Sequence, residues 1–105
     1  MAARIYSDDF SAKVLESKMP VLVDFYSDSC VACKKLAPTI CDIEEEYEGK
    51  LSVFKVNTGY DTKLVEEYGI QSNPTVILFK DGQIVGKQIG AKDYEDLSDW
   101  IDSLI

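Results

Sequence analysis

The sequence predicts a three-layer α/β/α sandwich built on one mixed sheet, and three observations point to it. Strand-like and helix-like stretches alternate along the chain, the pattern of parallel strands joined by crossover helices. Val21-Leu22-Val23-Asp24-Phe25-Tyr26 is so continuously apolar that it reads as a strand buried on both faces. Asp81-Gly82, set between two strand-like runs, is a hairpin signal and makes one strand pair antiparallel.

Residues 4–6 form a weak first strand. Ser7, followed by Asp8 and Asp9, offers a cap for a helix on which Phe10, Val14 and Leu15 recur at helical spacing. Pro20 ends that segment, the buried strand follows, and Ser27-Asp28-Ser29 is turn and cap material. From Cys33 onward Leu36, Ile40, Ile43 and Tyr47 mark one face of a long helix, with Glu44, Glu45, Glu46 and Glu48 mostly on its wet side. Gly49 stops it. Residues 51–56 are the next strand, and residues 61–68 a short helix closed by Gly69. After Asn73-Pro74 comes a strong strand over residues 75–79, returning through the hairpin as residues 83–88. A last helix over residues 93–104 turns Leu97, Trp100, Ile101 and Leu104 to the core. The order is β-α-β-α-β-α-β-β-α.

A chain of 105 residues supports one hydrophobic core, so residues 1–105 are expected to form a single domain. Eleven basic residues against nineteen acidic ones leave a net charge of −8. That balance argues against nucleic acid and anionic membranes, whose binding rests on basic residues. There is no histidine, which excludes Ser-His-Asp and Cys-His catalysis and any zinc site with a histidine ligand. The first nine residues contain no apolar core of a secretory signal, and runs such as Val76-Ile77-Leu78-Phe79 fall far short of the ~20 residues that span a bilayer. The expected location is the cytoplasm, where thiols stay reduced.

Three cysteines remain: Cys30, Cys33 and Cys41. Cys30-Val31-Ala32-Cys33 sits where the buried strand turns into the long helix. A C-x-x-C spacing is shared by zinc ribbons, iron–sulfur proteins and dithiol oxidoreductases. Three cysteines without histidine are too few for a zinc or iron–sulfur site, and Cys41 lies about 12 Å farther along a helix from Cys33. A redox dithiol is the surviving reading, with no metal and no cofactor. A helix N-terminus favours a thiolate, so Cys30 is expected to be the exposed nucleophile and Cys33 the shielded resolving thiol. Lys34 and Lys35 either add positive charge there or form a solvated helix edge. Cys41, beside the apolar stripe, reads as half-buried packing.

Asp24 interrupts the apolar strand. Buried, its pKa would be raised and it would accept the proton of Cys33 as that thiol attacks; near the strand end, it would simply be wet. Lys55 in the next strand either pairs with it or faces water. The Asn73-Pro74 bond by pattern alone favours trans.

These residues resemble the thioredoxin family from end to end. The likeness rests on Val23-Asp24-Phe25, the run Cys30 to Lys34 with Ala37-Pro38, Tyr68-Gly69-Ile70, Pro74-Thr75, Phe79-Lys80-Asp81-Gly82 and Gly90-Ala91. The resemblance implies the thioredoxin fold: a central five-stranded mixed β-sheet flanked by four helices. It implies reduction of protein disulfides through Cys30 and Cys33 by a monomer that a flavin-dependent thioredoxin reductase recharges. It also makes Asp24 the buried carboxyl behind Cys33, Lys55 the neighbour that tunes it, and Pro74 a cis-proline facing the dithiol. Asn73, Pro74, Thr75 and Gly90 would then line the groove for an extended substrate segment. Pro38 inside the helix fits the family as well.

The departures matter. Where the family commonly has W-C-G-P-C, this chain has Ser29-Cys30-Val31-Ala32-Cys33, and Tyr26 and Ser29 stand in place of two usual tryptophans. A general electron carrier, a specialised one with a dedicated partner, and a redox-inactive binding module of the same fold are the competing functions. Both cysteines, Asp24 and Asn73-Pro74 speak against the last. With Ala32 in place of the proline that stabilises the family's disulfide form, the pair should be less reducing than a thioredoxin with the common motif. Equilibration with glutathione measures this, and a potential at or below that of such a thioredoxin would contradict it.

Overall fold

Burial on both faces puts the Val21–Tyr26 strand in the middle of the sheet, and the rest of the fold is arranged around it. A computed structural model describes residues 2–105. The strands are β1 (Ala3–Arg4), β2 (Val21–Tyr26), β3 (Ser52–Asn57), β4 (Thr75–Lys80) and β5 (Gln83–Ile89), in spatial order β1-β3-β2-β4-β5. β3 runs parallel to both β1 and β2, whereas β4 is antiparallel to β2 and to β5. The helices are α1 (Ser7–Phe10, continued by a π-helical turn over Ser11–Leu15), α2 (Val31–Glu46), α3 (Thr62–Tyr68) and α4 (Tyr94–Leu104).

Strand side chains alternate between two apolar layers. Leu22, Val53, Val76 and Leu78 pack under α2 and α4 with Leu36, Ile40, Ile43, Leu97 and Ile101. Val21, Val23, Phe25, Ile77 and Phe79 pack against Phe10, Val14 and Leu64 of α1 and α3 on the other face. Asp24 shares the parity of Leu22, so it points toward α2 at the end of the strand where that helix begins.

Two boundaries and the burial of one residue differ from the sequence expectation. β1 ends at Arg4 instead of Tyr6, because the Tyr6 N–H is taken by the Asp9 carboxylate at 2.8 Å and leaves the ladder. Ser7 is not the cap: Tyr6 is, and the Ser7 N–H donates to Asp61 Oδ2 at 2.7 Å. Trp100 is only partly buried, because Leu97 and Ile101 take the inner face of α4 and Trp100 rests on Gly86 at the margin.

The hairpin closes with Asp81 (φ 54°) and Gly82 (φ 75°) both left-handed, as a two-residue type I′ turn requires. In β5 the register passes from Leu78↔Gly86 to Phe79↔Ile84, leaving Val85 as a bulge. A Cβ on Gly86 would come within 2.8 Å of Trp100 Cζ2 and 2.6 Å of Leu104 Cδ1. Gly86→Ala should therefore cost about 1–2 kcal/mol of stability through overpacking, read by urea unfolding. Trp100 emission should also change little when the dithiol is reduced, since this residue packs on β5; a several-fold change would contradict that.

Candidate active site

β2 delivers the chain through residues 27–29 to the first turn of α2, and the cap there is Cys30 itself rather than the serines before it. Cys30 has extended backbone (φ −88°, ψ 113°) and its Sγ accepts the Cys33 N–H at 3.1 Å. The sulfur thus occupies the place an oxygen usually takes at a helix N-cap. Asn57 Nδ2 donates to Asp28 Oδ2 at 3.1 Å and ties the preceding turn to the end of β3. Cys30 is half-buried at the rim, and Cys33 is 6% exposed on the inner side of the helix. Their Cα atoms are 5.2 Å apart and their sulfurs are bonded, so this is the oxidised form. After reduction, the N–H groups and dipole of the helix start would stabilise a Cys30 thiolate. Lys34 and Lys35 are exposed.

Behind Cys33 lies a pocket of about 190 Å³ whose walls include Asp24, Tyr26, Cys33, Ala37 and Lys55. Asp24 is 6% exposed and its Oδ1 is buried with no hydrogen-bond partner. Burial pushes its carboxyl up to about 7, against an opposing pull from the Lys55 charge. Lys55 is the register neighbour of Asp24 on β3, yet it forms no salt bridge with it; its Nζ lies 5.3 Å from the centroid of the Tyr26 ring. Of the two readings open in the sequence, Asp24 takes the buried one. Lys55 takes neither of its own, being partly buried in an inner strand above an aromatic face.

On the outer side of the disulfide the Asn73–Pro74 peptide bond is cis, and the Asn73 carbonyl oxygen lies 3.5 Å from Cys30 Sγ. The Gly90 N–H donates to the Pro74 carbonyl at 2.9 Å, which sets this loop beside the end of β5. A side chain at Gly90 would meet open space, so its φ of +91° is what calls for glycine there. Thr75 is buried and its hydroxyl donates to the Ser72 carbonyl at 2.7 Å. Asn73, Pro74 and Gly90 therefore come together on the Cys30 side, Asp24 and Lys55 on the Cys33 side, and the Thr75 side chain is enclosed. Cys41 is a free, half-buried thiol farther along α2. Among the described residues, no cluster of three or more Cys, Asp or Glu is placed to hold a metal.

Two neighbours of the site escape the sequence reading. Arg4 lies over the rings of Tyr6 (4.9 Å) and Tyr60 (5.0 Å). Thr58, just past β3, bonds to both β2 and the Asn73 side chain. Asn57-Thr58-Gly59 carries a turn signal, but nothing in it names a partner 15 residues away.

Asp24 has a pH consequence with a definite sign. Its carboxyl sits near 7 when folded and near 3.8 when unfolded, so the folded state holds the proton more tightly. The contribution of Asp24 to stability is undiminished below about pH 4, falls as the pH rises between those values, and levels off above about 7. Three pH units correspond to roughly 4 kcal/mol, an upper figure for the loss. Asp24→Asn should remove most of that slope and be more stable than the parent at pH 8 by a few kcal/mol. Urea unfolding at pH 4 and pH 8 measures the effect.

Comparison with known proteins agrees with this geometry. The sequence model of the thioredoxin family matches residues 2–103. A thioredoxin of Rickettsia felis is 42% identical over 105 residues, covering all of both chains. Thioredoxin 1 of a Nostoc species is 42% identical over 97 residues, 92% of this chain and 91% of its own. Thioredoxin 1 of Synechococcus elongatus is 39% identical over 102 residues, 97% of this chain and 95% of its own. With a cysteine pair joined at the start of α2 and full-length likeness of this kind, the chain belongs to the thioredoxin family and is a protein dithiol–disulfide oxidoreductase.

Proposed function

We propose that the chain works as a single-domain monomer in the cytoplasm, taking electrons from a flavin-dependent thioredoxin reductase and passing them to disulfide-containing target proteins. It does so with no bound cofactor; Cys30 and Cys33 carry both electrons. The observation that carries this reading is the asymmetry of the pair: Cys30 at the rim with a helix N–H on its sulfur, Cys33 buried against a pocket shared with Asp24. A reducing compartment suits a dithiol that must be returned to its thiol form after each turnover.

In the reduced protein the Cys30 thiolate attacks one sulfur of the target disulfide. A mixed disulfide forms and the first target thiolate leaves. Cys33 then gives its proton to Asp24 and attacks the Cys30 sulfur. The internal disulfide closes, the second target thiolate leaves, and the target has gained two electrons from the dithiol. Asp24 suits this task because a carboxyl near 7 can be unprotonated at working pH and still accept a proton. Lys55 opposes the burial effect and keeps that value from rising further. On the other side, Asn73 and Pro74 offer an edge beside Cys30 for an extended target segment. Gly90 adjoins them with no side chain in the way, and Thr75 holds the loop from within.

Insulin reduction with dithiothreitol tests the reading. Cys30→Ser should fall to the uncatalysed rate, and undiminished activity would overturn it. Cys33→Ser should accumulate mixed disulfides on Cys30 with its targets, and mass spectrometry of the trapped species would identify them. Asp24→Asn should slow closure of the internal disulfide about 10-fold to 100-fold near neutral pH while leaving the first attack nearly unchanged.

A further inference from the structure

The Asn73 carbonyl faces the nucleophile, so whatever holds Asn73 in place bears on the reaction. Its side-chain amide is held at one end only. Nδ2 donates to Thr58 Oγ1 at 3.1 Å, whereas Oδ1 is buried with no partner. Thr58 is itself fixed to the central strand: its N–H reaches the Tyr26 carbonyl at 2.8 Å and its hydroxyl donates to the same oxygen at 3.1 Å. A polarised chain therefore runs from the Asn73 amide through the Thr58 hydroxyl to the Tyr26 carbonyl, in the donor order that a hydroxyl permits. At the other end of the same residue, the Asn73 carbonyl oxygen stands 3.5 Å from Cys30 Sγ.

We propose that Thr58 is a positioning residue: through the Asn73 side chain, its hydroxyl anchors the Asn73 carbonyl against the Cys30 sulfur and holds the edge that receives the target segment. This deepens the dithiol reading above and rests on Cys30 being the nucleophile. Once the disulfide is reduced, a carbonyl at that distance is placed to accept the Cys30 S–H while the Cys33 N–H points at the same sulfur. The carbonyl favours the thiol and the N–H favours the thiolate, so Thr58 sets the balance between them. The charged groups around this end of α2 are Asp28 before it, Arg4 in the groove that Asp28 and Ser29 also line, Lys34 and Lys35 after it, and Asp24 and Lys55 behind Cys33. Changing Thr58 leaves all of them in place.

Thr58→Val removes the hydroxyl at nearly constant shape, and the Tyr26 carbonyl keeps the Thr58 N–H as its donor. Loss of one such anchor should raise the KM for insulin about fivefold with kcat within about twofold. It should also lower the midpoint of the pH profile of Cys30 alkylation by roughly half a unit. Thr58→Ser, which restores the hydroxyl, should restore both. A folded Thr58→Val protein with the parent's KM and midpoint would overturn the proposal, as would a Thr58→Ser protein that behaves like the valine variant. Should the valine variant not fold, the parent decides: the Asn73 carbonyl carbon resonance should shift as Cys30 titrates, and a flat response would overturn the proposal. Cys30→Ser separates the two levels. If it stays active, the dithiol reading fails; if it is inactive and Thr58→Val is unaltered, only the role of Thr58 fails.

Discussion

The N–H of Cys33 points at the sulfur of Cys30 across 3.1 Å, and the working end of the molecule depends on that contact. It exists because Cys30 is the last extended residue before α2, where the first backbone donors have no partner within the helix. The helix starts there because the strand before it is central, paired with β3 on one side and β4 on the other. Apolar side chains from two layers fix that strand, and the Asp28–Asn57 bond fixes the turn that follows it. In a chain without histidine, the cysteine pair thus owes its setting to backbone dipoles and fold position.

Asp24 sits at odds with its surroundings. An apolar residue there would extend the row begun by Leu22 and would spare the protein a buried carboxyl with one oxygen unpartnered. The fold tolerates it because the pocket behind Cys33 is small, partly polar and adjacent to Lys55. Lys55 moderates the carboxyl from a distance while its ammonium rests over Tyr26, so the two charges influence each other without forming a salt bridge. Tyr26 supplies the aromatic face for that arrangement.

Some of this was legible in the residues and some was not. Two-sided burial of residues 21–26, the helical stripe from Leu36 to Ile43 and the Asp81-Gly82 turn each follow from local periodicity, and each stands in the structure. The shortened β1 was not legible, because the Tyr6 N–H goes to Asp9 and no pattern of apolar residues reports that competition. Nor was the displacement of Ser7 from the cap, which depends on Asp61, far along the chain. Trp100 misleads for a related reason: its spacing puts it near the inner face, while the space it occupies is made by Gly86 on another element.

By itself the sequence determined the order of elements, the central strand and the C-x-x-C at a helix start, since these arise from propensities and spacings acting over a few residues. The absence of histidine likewise limited the chemistry before any fold was known. Only the tertiary structure decided that Asp24 is buried and unpaired, that Lys55 lies over Tyr26, and that Asn73 leans on Thr58 with its carbonyl at Cys30. Those are distances between residues that the sheet brings together from separate strands and loops. Desolvation and hydrogen bonding depend on such distances, and no local pattern encodes them.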